Sequence, residues 1–222
     1  MLNKPRKASP RGKHLGQHFL INKKIVDDIV RAGEVSKKDI ILEVGPGKGV
    51  LTEALSQKTK KVVAVEKDKA LVEFLKEKFK NQKNVEIIYG DILKTDIKNY
   101  GLRTMDYKLI ANIPYYITSR FLRLFLSQSD PGWTRPLLMV LMVQREVAER
   151  IVAKDSKESL LSLSVKAYGK PEIIKIVRKG NFFPPPKVDS AIIKITINFG
   201  DQSSDINAEH ILQLARRAFQ QK

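Results

Sequence analysis

Continuous apolar runs alternate with segments of helical spacing along most of this chain. Ile25, Val26, Ile29 and Val30 share one helical face. "DIILEVG" (39–45) is a short apolar run closed by glycine, which predicts a buried strand. "GVLTEALSQK" resumes the helical period, "KVVAVEKD" (61–68) predicts a second strand, and "KALVEFLKEKF" predicts an amphipathic helix through Leu71, Leu75 and Phe79. "NVEIIYGD" (84–91) and "YKLIANIP" predict a third and a fourth strand, and "SRFLRLFLSQ" a helix. "RPLLMVLMVQ" (135–144) predicts a fifth strand running into a helix at "REVAERIVAK". "KPEIIKIV" and "SAIIKITI" complete the series as two further strands.

Strands that are apolar on both faces and separated by helices predict an α/β fold. The sheet is expected to be mostly parallel, with helices on each side. The last two strands are joined by a proline-rich connection without helical period, so they are expected to pair antiparallel. The first 24 residues carry Lys4, Arg6, Lys7, Arg11, Lys13, Lys23 and Lys24 and no acid, and read as a basic arm ending in "GQHFL". Near the other end, Ile211, Leu214, Ala215, Ala218 and Phe219 form an apolar stripe after Asn207, a residue suited to cap a helix. That stripe is expected to open a second, helical domain or to dock back on the sheet.

Composition narrows the chemistry. The 222 residues include no cysteine, which excludes disulfides, a thiol nucleophile and a Cys-based zinc site. Three histidines without an HExxH pattern predict no catalytic metal. No apolar run approaches the ~20 residues that span a bilayer. The formal net charge is +17. So large a positive excess predicts a polyanionic partner, and a phosphate backbone fits best because neutralising it releases counterions.

The candidate site is a set of polar groups at strand ends. "EVGPGKG" (43–49) lies between a strand and a helix, where backbone N–H groups meet ligands of open α/β sheets. Gly45, Gly47 and Gly49 read G-x-G-x-G, which departs from the dinucleotide fingerprint G-x-G-x-x-G, and Lys48 is followed by glycine rather than the Ser or Thr of a P-loop. Glu66 closes the second strand, where a carboxylate can accept both hydroxyls of a ribose. Asp91 closes the third, suited to an exocyclic adenine amine or equally to capping "ILKTD" as a turn. The fourth strand ends abruptly on Asn112, Ile113, Pro114, Tyr115 and Tyr116.

These features together resemble S-adenosylmethionine-dependent methyltransferases of the Rossmann-like class I fold. "GQHFL" (16–20), "EVGPGKG", "VEKD", "YGDIL", "NIPYYITS" and "FFPPPKVDSA" (182–191) occur in that order, and the series resembles the ribosomal RNA adenine dimethyltransferases over residues 14–198. The resemblance implies a seven-stranded, mostly parallel sheet with the last strand antiparallel. It implies a methyltransferase domain over residues 25–199 and the start of a small helical domain over 200–222. It implies S-adenosylmethionine as cofactor, with S-adenosylhomocysteine as product, held by Gln17, His18, Leu20, Gly45, Gly47, Glu66, Asp91 and Asn112. His18 departs from the family, whose bacterial members usually carry Asn there. Asn112, Pro114, Tyr115 and Phe182 are implied as catalytic. The Asn112 side-chain oxygen and a backbone carbonyl, expected at Ile113, would accept both hydrogens of an adenine N6, and Pro114 would stiffen the turn. Tyr115 would stack on the flipped base and Phe182 would close its other face; by sequence alone, Phe183 is the alternative stacker.

The substrate implied is a pair of adjacent adenosines near the 3′ end of small-subunit ribosomal RNA, each dimethylated on an immature subunit by a cytoplasmic monomer. Lys187, Arg120, Arg123 and Arg145 are candidates for phosphate contacts. Two alternatives remain: a large-subunit methylase of the erythromycin-resistance type, and a protein acting mainly as an RNA-binding assembly factor.

Overall fold

A computed structural model describes residues 18–103, 106–126, 134–154 and 157–198. The basic arm up to Gln17 and the expected helix over 207–222 therefore lie outside the described residues. Strand β1 (Phe19–Leu20) leads into α1 (Lys23–Ala32), β2 (Ile40–Val44), α2 (Val50–Ser56), β3 (Lys61–Glu66), α3 (Lys69–Lys78) and β4 (Val85–Tyr89). Then follow β5 (Tyr107–Asn112), α4 (Thr118–Leu126), β6 (Leu138–Gln144), α5 (Arg145–Val152), α6 (Leu160–Lys166), β7 (Gly169–Val177), β8 (Phe182–Phe183) and β9 (Ser190–Ile197).

Seven strands form one sheet in the order β4-β3-β2-β5-β6-β9-β7. The pairs from β4 through β6 are parallel, and β9 is antiparallel to both β6 and β7. The last strand thus slots between two strands that precede it, as its continuously apolar sequence requires: Ala191, Ile192, Ile193 and Ile195 are fully buried. The order reverses direction at β2 and β5, which places their carboxyl ends, and the turns after them, side by side.

Period-two alternation divides the core between the two faces. Ile41, Ile110, Val140 and Met142 pack with α1 and α2, through Ile25, Ile29, Leu51 and Leu55. Leu42, Leu109, Ala111, Met139 and Leu141 pack with α4, α5 and α6, through Phe121, Phe125, Ile151 and Val165. Each such aliphatic side chain removed from water contributes about 1.5–3 kcal/mol. The helices start where the local sequence allows it: Asn22 accepts from Lys24 N, Asp68 from Ala70 N and Leu71 N, and Ser159 with Ser162 makes a reciprocal capping box. Helix α6 had no counterpart among the predicted elements, because Leu and Ser alternate in "LLSLS" with the period of a strand rather than of a helix.

A second, two-stranded sheet joins distant segments: β1 pairs antiparallel with β8, Phe19 opposite Phe183 and Leu20 opposite Phe182. Ile21 N donates to Asn181 O (3.0 Å) and Asn22 Nδ2 to Asn181 Oδ1 (2.7 Å), extending the junction. This ribbon brings "HFL" and "FFPPP" together over the carboxyl end of the main sheet.

Candidate active site

The turn after β2 is shaped by left-handed glycines. Gly45, Gly47 and Gly49 have φ of 67°, 59° and 74°. A side chain at Gly47 would be strained on two counts, since its Cβ would also lie 2.9 Å from the Phe19 ring. Gly47 N donates to Glu66 Oε2 (3.2 Å), and Lys67 N and Asp68 N donate to Oε1 (2.9 and 3.0 Å). One carboxylate therefore clasps the glycine turn to the end of β3. Burial raises the Glu66 pKa, opposed by those three N–H groups.

The turn after β5 stands opposite. The Asn112 side chain donates through Nδ2 to His18 O (3.3 Å), which fixes the amide orientation and turns Oδ1 the other way. Pro114, with φ of −59°, leads into a 3₁₀ turn over Tyr115–Ile117. The Tyr115 hydroxyl is hydrogen-bonded to Ser190 Oγ (2.6 Å), tying this corner to the first residue of β9. Burial raises the Tyr115 pKa, and the Ser190 bond opposes the shift. The His18 ring lies 6.3 Å from the Tyr115 ring at an interplanar angle of 26°, and its Nδ1 is 2.8 Å from Pro184 O.

Between the two turns lies a cavity of about 480 Å³. Of the expected site residues, His18, Leu20, Gly45, Gly47, Glu66, Asn112, Pro114 and Tyr115 line it. Gln17 is outside the described residues. Asp91 is not among the lining residues; its carboxylate accepts from Lys67 Nζ (2.8 Å) and Leu93 N (3.1 Å), and the Lys67 contact holds its pKa below the usual range. Phe182, expected to close one face of the base, does not line the cavity. It is 2% exposed, packed in the core with α1, whereas Phe183 is 64% exposed and lines the cavity. Adjacent residues of an extended segment face opposite ways, so only one of the two rings can face the site, and the pairing of β1 with β8 selects Phe183.

Glu43 also lines the cavity and was not anticipated. It is 1% exposed, and its Oε2 has no hydrogen-bond partner. The one signal for it is a carboxylate inside the otherwise apolar run "IILEV". Burial pushes its pKa up to about 8; nearby Glu66 adds to this, and Thr52 and Lys78 oppose it. The folded protein thus keeps a proton here that the unfolded chain has released above about pH 4.5. Stability tied to this group is whole below that pH and is lost progressively up to about pH 8. Glu43→Gln, which mimics the neutral acid, is expected to raise stability by about 2–3 kcal/mol at pH 7 and hardly at all at pH 4.5. Chemical denaturation at both pH values checks this; an equal gain at each would place the charge elsewhere.

The donor set fits an S-adenosyl ligand. Gly47 presents a cradle that a Cβ would fill, Glu66 keeps an acceptor site on Oε2 for a ribose hydroxyl, and Glu43 offers an unpartnered buried oxygen in the wall. Among the described residues no cluster of side chains suited to a metal ion occurs, and no helix is long and apolar enough to cross a membrane.

Comparison with known proteins agrees with this geometry. The family model for ribosomal RNA adenine dimethylase matches residues 10–222. The chain is 45% identical over 207 residues to the ribosomal RNA small subunit methyltransferase A of Dehalococcoides mccartyi, covering 93% of this chain and 70% of that protein. Among solved structures, a dimethyladenosine transferase from Plasmodium falciparum superposes with a TM-score of 0.76 at 33% identity, covering 90% of this chain and 70% of that one. The 23S rRNA methyltransferase ErmE superposes with a TM-score of 0.74 at 25% identity, covering 87% and 77%.

Proposed function

Because this chain belongs to the ribosomal RNA adenine dimethylase family, we propose that its cavity transfers methyl groups from S-adenosylmethionine to the N6 amines of two adjacent adenosines in small-subunit ribosomal RNA. The observation that carries the reading is the convergence of the glycine turn, Glu66 and the Asn112–Tyr115 corner on one cavity. S-adenosylmethionine, when bound, supplies an electrophilic methyl group on a sulfonium. Glu66 accepts the ribose hydroxyls, and Gly45, Gly47, His18 and Leu20 cradle the remainder. Asp91, outside the lining residues and bonded to Lys67, would have to turn from that lysine to accept the adenine amine.

The chain's own task is to make a poor nucleophile attack. The N6 lone pair of adenine is delocalised into the ring. Two acceptors for its hydrogens favour a tetrahedral nitrogen and free that pair. Asn112 Oδ1 is one, already oriented by the bond from Nδ2 to His18 O, and the Ile113 carbonyl is the other. Tyr115, braced by Ser190, and the exposed Phe183 sandwich the extruded base. No strong general base is required, because the methylated nitrogen is acidic and yields its proton to water. Positioning carries most of the rate enhancement.

A formal net charge of +17 suits an RNA partner. The test offers labelled S-adenosylmethionine with immature small subunits and, separately, with large-subunit RNA, and maps dimethyladenosine. Label is expected on the small-subunit RNA. Label confined to large-subunit RNA would transfer the chain to the erythromycin-resistance type, and none on either would leave RNA binding as its work.

A further inference from the structure

Tyr116 is 71% exposed, an unusual position for a phenol that follows directly on a cavity-lining residue. It belongs to the 3₁₀ turn that runs without a break into α4, so its outward face continues along that helix. Residues four and seven positions on are Arg120 and Arg123, both exposed, while Phe121, Leu122, Phe125 and Leu126 point into the core. The three outward side chains thus form one stripe, beginning at the residue that follows the cavity-lining Tyr115. No acid occurs between residues 107 and 126, and among the described residues neither arginine is in an ion pair.

An exposed ring followed by two unpaired guanidiniums matches the chemistry of single-stranded nucleic acid, in which bases stack on aromatic faces and phosphates meet cations. A base withdrawn into the cavity leaves its neighbour outside, and the exposed Tyr116 follows directly on the lining Tyr115. We propose that Tyr116, Arg120 and Arg123 guide the RNA strand out of the active site, Tyr116 stacking on the nucleotide next to the target adenosine and the arginines holding the phosphates beyond it. This rests on the methyl-transfer reading and adds to it the neighbour's subsite. The commitment to RNA, rather than to the cofactor's own adenine, follows from the arginines. They continue the stripe away from the cavity, and S-adenosylmethionine has no phosphate to give them.

The experiment measures binding of a labelled RNA hairpin with two adjacent loop adenosines, with S-adenosylhomocysteine present, across a salt series. It also measures affinity for S-adenosylmethionine and methyl transfer to the same hairpin. Tyr116→Ala is expected to weaken RNA binding about ten-fold or more, Tyr116→Phe to restore it to within about two-fold, and both to leave cofactor affinity unchanged. Arg120→Gln with Arg123→Gln is expected to flatten the slope of log K against log salt by about 1.4. Variants that match the unsubstituted protein in RNA affinity and salt slope overturn the proposal. So does a Tyr116→Ala variant whose loss is confined to S-adenosylmethionine, which would make the ring a cover for the cofactor. An unsubstituted protein that binds the hairpin but methylates no RNA would instead overturn the reading of the active site, leaving the stripe to stand or fall on the binding ratios.

Discussion

Asn112→Ala is expected to cut methyl transfer by on the order of 10²–10³-fold or more, the range seen when one preorganised polar group is removed from the place where charge develops. The side chain has two assignments that separate cleanly. Its Nδ2 donates to His18 O, a contact whose loss costs about 1 kcal/mol of stability. On the proposed mechanism its Oδ1 accepts from the target amine, and an interaction needed only as that nitrogen becomes tetrahedral appears in kcat rather than in KM. Single-turnover transfer to small-subunit RNA, with a melting curve and a cofactor titration on the same sample, is the measurement. A variant that keeps its fold and cofactor and still methylates within a few-fold of the parent would remove the corner from the mechanism.

The two phenylalanines of β8 are expected to behave as opposites. Phe182→Ala opens a cavity in the core against α1 and should cost about 3–5 kcal/mol, enough to unfold much of a protein of ordinary stability. Phe183→Ala removes a ring that is already 64% exposed, so stability should stay within about 0.5 kcal/mol. Its cost falls on the substrate: on the proposed mechanism one face of the extruded base loses its stack, worth about 1–3 kcal/mol, or roughly 5- to 160-fold in kcat/KM for RNA. Phe183→Trp should recover most of it. Equilibrium denaturation and steady-state transfer on the two variants check the contrast. Activity lost through Phe182 in a protein that remains fully folded, with Phe183→Ala unaffected, would return the stacking role to the inner ring.

The contrast also shows what could be read from the chain. Among the described residues, the main strands and five of the six α-helices followed from apolar runs and helical spacing, because burial on both faces of a parallel sheet leaves a continuous apolar trace. The antiparallel closing pair followed from a connection with no room for a crossover helix. Polar groups at strand ends, Glu66 and Asn112 among them, were visible because they interrupt that trace where ligands bind in such folds. Glu43 interrupts it too, but inside a strand rather than at its end, and a carboxylate there has no meaning until the cavity wall is seen.

Local pattern could therefore mark most of the elements and the strand-end turns where polar groups gather, since both are written within a few residues of one another. It could not choose between Phe182 and Phe183, couple Tyr115 to Ser190 or draw Asp91 into an ion pair with Lys67. Those outcomes depend on partners brought together from far along the chain. A strand's two faces exchange with a shift of one residue, and for "FF" the deciding partner lies in "HFL", more than 160 residues away.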